Sequence, residues 1–242
     1  MTSTHHDKFF KKVFSDLDVA QDFLDHYLPS QVRHVLALDT LKVIQGSFVD
    51  RRLKAHYSDL VYQVDMNSLR QAYVCILMEH KSYLDRWVPV QLLRYMVQIW
   101  GHVLSQRQAV EYLPVIIPLV IYHGPSTWRW EKNFSSLFAA VPELTPFLPD
   151  YRYLLCDLSA IKDEDVRGAV KTRMTLFAQK HFNDDDLSVR LPELAALSDE
   201  LTTESDWNEY LDVLVRYLPC PNKLARMILI TSSTGPSLVE EV

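Results

Sequence analysis

The sequence predicts an α/β protein whose core runs in the order αβββαβ, a mixed sheet flanked by helices, followed by a C-terminal helical extension. Three observations predict it. Tyr57 to Met66 and Gln71 to Lys81 both read as strands about the short polar segment Asn67-Ser68-Leu69-Arg70, the pattern of a hairpin. From Val88 to about Gln106, apolar residues recur at three- and four-residue intervals, the period of an amphipathic helix. The apolar run Leu113 to Tyr122 carries two prolines and has the length of a buried strand, far short of a membrane span.

The remaining elements follow in chain order. Asp7 to Tyr27 places Phe9, Phe10, Val13, Phe14, Leu17, Phe23, Leu24 and Tyr27 at helical spacing and is expected to form one helix ended by Pro29. Leu41 to Phe48 is the candidate first strand, and the hairpin follows it. After the helix from Val88, the strand Val115 to Tyr122 is central, and a short strand at Tyr153 to Asp157 completes the sheet. Asp163 to Phe182 and Asp206 to Tyr217 read as helices, with a linker and a short helical stretch over Asn183 to Ser205. The expected division is a core over residues 1–160 and a helical extension over residues 161–242, packed on that core.

The hairpin carries the chemistry. Folding it about residues 67–70 brings Asp59 opposite roughly residue 78 or 79, where cross-strand Cβ atoms are only ~5 Å apart. Lys81 stands two residues beyond Glu79, so the strand period of two sends both side chains to one face. Two carboxylates and an ammonium on one face suit metal-assisted phosphodiester hydrolysis. The carboxylates offer hard oxygen ligands to Mg²⁺ or Mn²⁺, and the lysine orients or deprotonates the attacking water or stabilises developing charge. Charged residues on a half-exposed strand are commonly no more than a solvated face, so the surroundings matter. Cys75-Ile76-Leu77-Met78 before Glu79 is an apolar run of the kind that delivers a polar tip at a strand end. Gln91 and Tyr95 lie one turn apart on the following helix, a polar pair aimed at that tip.

Asp59, Glu79-His80-Lys81 and Gln91-Leu92-Leu93-Arg94-Tyr95 resemble the Asp, Glu-x-Lys and Gln-x-x-x-Tyr motifs of the PD-(D/E)xK nuclease superfamily. The opening His6-Asp7-Lys8-Phe9-Phe10-Lys11-Lys12-Val13-Phe14, with Gly46 to Asp50, Tyr57 to Leu60, Leu92 to Met96 and Pro118 to Gly124, is similar to the Rpn or YhgA-like family of recombination-promoting nucleases. The resemblance covers about the first 160 residues. It implies a restriction-endonuclease-like core and a metal-dependent DNA endonuclease that promotes recombination, tied to mobile elements or phage defence. Asp59 and Glu79 would then be metal ligands, with the backbone carbonyl of His80 as a third, Lys81 the catalytic lysine, and Gln91 with Tyr95 the supporting motif. Mg²⁺ is the expected ion, with Mn²⁺ or Ca²⁺ as alternatives; the partner is DNA, and a homodimer is expected by analogy. Ser58 stands where the superfamily name has Pro.

Composition agrees with this without producing it. The 242 residues carry a net charge of −6, yet residues 1–130 hold 14 Lys or Arg against 12 Asp or Glu, while residues 131–242 hold 11 against 19. The acidic excess is therefore C-terminal, and Lys8, Lys11, Lys12, Arg51, Arg52, Lys54, Arg86 and Arg94 are candidates for phosphate contacts. Cys75, Cys156 and Cys220 are dispersed without metal-ligand spacing, and the chain starts with no apolar signal segment, so a soluble protein of the reducing cytoplasm, with no membrane, is expected. Asp184-Asp185-Asp186 lacks the Gly and terminal Glu of a calcium loop, and no Gly-rich phosphate loop, nucleophile elbow or Cys-His zinc module is present. The competing expectation is a catalytically silent DNA-binding accessory or protein-interaction module on a nuclease fold.

Overall fold

The computed structural model describes residues 5–44, 60–67, 73–105, 111–139, 141–181, 187–198 and 213. Three helices, α1 (His5–Phe14), α2 (Leu17–Tyr27) and α3 (Ser30–Arg33), lead into strand β1 (Leu36–Val43). Strands β2 (Leu60–Met66) and β3 (Tyr73–Lys81) follow, then helix α4 (Val88–Ser105), strand β4 (Val115–Tyr122) and strand β5 (Leu154–Asp157). Helices α5 (Val170–Lys180) and α6 (Leu187–Ser198) complete the described elements. The five strands form one sheet in sequential order; β1–β2 and β2–β3 are antiparallel, β3–β4 and β4–β5 parallel, so the sheet is mixed as expected. Among the described residues no helix is long and apolar enough to cross a membrane.

Side-chain alternation divides the core between the two faces of this sheet. Leu60, Tyr62 and Val64 of β2, Ile76 and Met78 of β3, and Leu119 and Ile121 of β4 point to the face covered by α1, α2 and α5. There they meet Phe9, Phe10, Phe14 and Phe23, all fully buried, and Met174, Leu176 and Phe177. Each such side chain taken from water stabilises the fold by roughly 1.5–3 kcal/mol. Val61, Ile116, Val120 and Tyr122 point the other way, against Val88, Leu92, Tyr95, Met96 and Ile99 of α4. Pro118, which has no N–H to give a ladder, stands one residue before β5 joins β4 at Leu119↔Leu154.

Several boundaries differ from the expectation. The single helix over Asp7 to Tyr27 is two helices, because Asp16 takes an extended backbone and its carboxylate accepts the Asp18 N–H (3.0 Å), an N-cap that starts α2 afresh. The first strand runs over Leu36–Val43, earlier than Leu41 to Phe48; its hydrogen bonding shifts between Ala37 and Lys42, where Thr40 Oγ1 accepts from the Asp65 N–H. The helix expected from Asp163 begins only at Val170. Asp163 to Asp165 form a single 3₁₀ turn, and Gly168 adopts φ 113°, a conformation open to glycine that breaks any continuous helix. A side chain at Gly168 would also strike the Asp22 carboxylate, which accepts the Ala169 N–H at 2.8 Å. The helix expected over Asp206 to Tyr217 lies outside the described residues except for Val213, as do the turn residues 68–70 and the aspartates 184–186.

Candidate active site

Glu79 and Lys81 close β3, and both are almost wholly buried, 2% and 6% exposed. Period-two alternation puts them on the α4 face of the sheet. The first turn of α4 begins at the Trp87 carbonyl, which accepts the Val90 and Gln91 N–H groups, and this sets Gln91 above the strand end. Gln91 Oε1 accepts from Lys81 Nζ (2.7 Å), while Gln91 Nε2 donates to Glu79 Oε1 (2.8 Å) and to Tyr95 Oη (3.2 Å). The amide has only one orientation that serves both neighbours, since an ammonium can only donate and a carboxylate only accept. Lys81 Nζ is also 3.3 Å from Glu79 Oε1 and 3.5 Å from Asp85 Oδ2.

Burial alone would depress the pKa of Lys81, but the negative charge of Glu79, with Tyr83 and Asp85, outweighs it and holds the pKa above the ordinary lysine value. The ammonium is thus a fixed positive charge at the strand end. Glu79 uses its oxygens unequally. Oε1 is bound by Gln91 and faces Lys81, whereas Oε2 is buried with no hydrogen-bond partner among the described residues. A buried carboxylate oxygen left with its lone pairs is costly unless something cationic takes it. Glu79 Oε2 thus has the chemistry of a single ligand to a hard divalent ion. Among the described residues no three His, Cys, Asp or Glu side chains gather as a metal cage. Asp59 lies outside the described residues; the β2–β3 ladder is described from Leu60↔Met78 onward.

His80 faces the opposite side of the sheet. Its ring stacks on His123 (centroids 4.4 Å apart) and on Phe10 of α1 (4.9 Å), and its Nδ1 is 3.7 Å from Asp7 Oδ1. His123, immediately after β4, donates its N–H to the Lys81 carbonyl at 3.0 Å. The rings thus fasten the strand end from behind.

The structure brings Glu79, Lys81, Gln91 and Tyr95 into one hydrogen-bonded group and sends the His80 side chain away from it. Asp85 and Tyr83, whose ring lies 5.3 Å from Lys81 Nζ, escape a reading of the sequence alone, as does the stacking of His123, legible only as a structural or DNA-facing residue at a strand end, on His80. The first two sit on an aperiodic loop and the third is brought in by long-range strand register, so no local spacing marks them. Of the cations considered for phosphate contact, Lys8, Lys12, Arg86 and Arg94 are exposed and Lys11 half-buried; Arg51, Arg52 and Lys54 lie outside the described residues. Cys156 is a buried core residue whose thiol is pushed up to about 12 by burial.

A family model described as "Putative transposase, YhgA-like" matches residues 4–208. The chain is 30% identical over 219 residues to "Recombination-promoting nuclease RpnD" of Escherichia coli O157:H7, covering 90% of this chain and 82% of that protein. It is 28% identical to "Recombination-promoting nuclease RpnC" of Escherichia coli strain K12, covering 82% of this chain and 65% of that one. It is also 28% identical to "Inactive recombination-promoting nuclease-like protein RpnE" of the same strain, covering 77% and 61%. The chain thus spans somewhat under two thirds of the length of the latter two. No solved structure matches the chain.

Proposed function

Because the chain belongs to the YhgA-like transposase family, we propose that it is a nuclease that promotes recombination, acting as a metal-dependent endonuclease on DNA. The observation that carries this reading is the division of labour on Glu79. One oxygen is held by Gln91 beside a protonated lysine, and the other is buried and left with its lone pairs. In this proposal Glu79 holds a divalent cation, Mg²⁺ with Mn²⁺ or Ca²⁺ as alternatives, together with Asp59 and the His80 carbonyl. Asp59 stands two residues before Val61, whose side chain packs on the α4 face. A cation held there would neutralise phosphate charge and acidify a water. Lys81 places its positive charge where charge builds on the phosphate, and donates a hydrogen bond that orients the attacking water. Gln91 fixes the carboxylate and the ammonium relative to each other, and Tyr95 supports Gln91. DNA is the partner, the cytoplasm the compartment, and cutting both strands would take a homodimer.

The test is nicking and linearisation of supercoiled plasmid with Mg²⁺, Mn²⁺, Ca²⁺ or EDTA, with Glu79→Ala and Lys81→Ala prepared identically. Wild type is expected to cut only with metal, and each variant to lose ~100-fold or more of the rate, the scale on which removal of one charge-stabilising group is felt. Lys81→Ala should still bind the metal, read by titration calorimetry. Well-folded wild type that cuts no DNA form with any metal would overturn the reading. It would favour the second one, a catalytically silent module on the same fold, toward which the word "Inactive" in the name of one relative points.

A further inference from the structure

The loop that joins β3 to α4 carries two large aromatic rings that the core does not use. Tyr83 is 58% exposed and Trp87 59%, although a fold gains most from such side chains by burying them. Both are tied to the candidate active site. The Tyr83 ring lies 5.3 Å from Lys81 Nζ, and the Trp87 N–H donates to Asp85 Oδ1 (2.8 Å), whose other oxygen faces Lys81. The Trp87 carbonyl accepts the Gln91 N–H, so the exposed indole and the amide that bridges Glu79 and Lys81 belong to one rigid helical turn.

Cations accompany the rings. The Arg86 guanidinium lies 5.7 Å from the Trp87 ring and 5.9 Å from that of Trp130, and Arg129 lies 5.0 Å from Trp130. Arg86 and Arg129 are both exposed. Guanidinium groups resting on indole faces are pre-oriented and weakly hydrated, the state in which they bind phosphate well. Trp130 is half-buried and holds Arg86 and Arg129 beside the exposed rings of Tyr83 and Trp87, and exposed π-faces with cations beside them are what a base and its phosphate require together. A closed duplex offers no base faces along its length, because they are stacked on one another. An unpaired strand does.

We infer that Tyr83, Arg86, Trp87, Arg129 and Trp130 form a platform for an unpaired stretch of DNA, a frayed end or single-stranded segment, beside the Glu79–Lys81 site. Bases stack on Trp87 and Tyr83, and the arginines take the flanking phosphates. The inference rests on the nuclease reading for its choice of DNA, but its test does not depend on turnover.

The test is fluorescence anisotropy in EDTA, so that no strand is cut, with a labelled single strand of about 20 nucleotides, its blunt duplex, and RNA of the same sequence. Wild type is expected to bind the single DNA strand more tightly than the duplex. Trp87→Ala should weaken that binding ~10-fold or more, as the loss of one base-stacking ring does. Trp87→Phe, which keeps a ring, should retain most of the affinity. Paired Arg86→Ala and Arg129→Ala should weaken it and flatten its salt dependence, whereas Lys162→Ala, an exposed cation outside the platform, should not. Equal affinity for strand and duplex, an unaffected Trp87→Ala, an equal loss in Lys162→Ala, or a preference for RNA would each overturn the inference. Plasmid cleavage reports separately: cutting that persists while Trp87→Ala binds normally sinks the platform alone, and strand binding lost in Trp87→Ala by a protein that never cuts sinks the nuclease reading alone.

Discussion

An amide can donate and accept at once, and Gln91 does both, accepting a hydrogen bond from the Lys81 ammonium and donating one to the Glu79 carboxylate. Replacing it with leucine keeps the volume but leaves the two charges to settle their own geometry. Gln91→Leu is expected to lower the plasmid-nicking rate ~10- to 100-fold, as loss of a group that orients a ligand does, with an unchanged circular dichroism spectrum. An undiminished rate would remove Gln91 from the site. Glu79, Lys81, Gln91 and Tyr95 were legible in the sequence because a period of two and a helical turn are local rules that tertiary packing did not overturn. Asp85 was not legible, since a loop has no period, and neither was the stacking of His123 on His80, which comes only through the parallel pairing of β3 with β4.

At the scale of elements, the packed ones were the ones that could be read. The strand Val115–Tyr122 and the helix from Val88 fall where hydrophobic periodicity put them, because burial on one face or both leaves a strong pattern. The ends of helices depend instead on single polar groups. Asp16 divides α1 from α2, and Asp163, expected to open a helix, accepts from Lys180 Nζ (2.6 Å) and Arg190 (3.3 Å) and contacts His181 Nε2 (3.1 Å). Burial would raise the Asp163 pKa, but hydrogen bonds from Lys180 and His181 outweigh that and hold it below the ordinary 3.8. Its stabilising contribution is therefore present above pH 3.8 and disappears as the pH falls through the depressed folded value. Asp163→Asn is expected to lower Tm at neutral pH and to flatten the loss of Tm with acid, checked by thermal melts across that window. Parallel curves for the two proteins would show that the carboxylate contributes nothing. Phe10, fully buried between Phe14 and His80, is expected to cost about 3–5 kcal/mol as Phe10→Ala in urea unfolding.

For the molecule as a whole, the question is where the core ends. Met174, Leu176 and Phe177 of α5 fill the same cluster as Phe9, Phe14 and the α1 face of the sheet. At ~1.5–3 kcal/mol for each buried side chain, their loss would remove roughly 5–9 kcal/mol, comparable with a typical total stability of about 5–15 kcal/mol. A fragment ending at residue 160 keeps all five strands and is nevertheless expected to aggregate or remain unfolded by circular dichroism. A cooperative melt from that fragment at the temperature of the full chain would refute this. Strand β3 has a further consequence, for how such a protein changes over generations. Glu79 and Lys81 alternate with His80, whose ring is clamped behind the sheet. Deleting one codon between Tyr73 and Met78 would turn the strand end over, pressing two charges into the aromatic stack and presenting an imidazole where the acid and base had been. A substitution at Glu79 or Lys81 leaves the stacked rings of Phe10, His80 and His123 in place. Under the proposed function, a point substitution at Glu79 or Lys81 would end cutting and leave the strand in register, whereas an in-frame deletion here would take the fold with it.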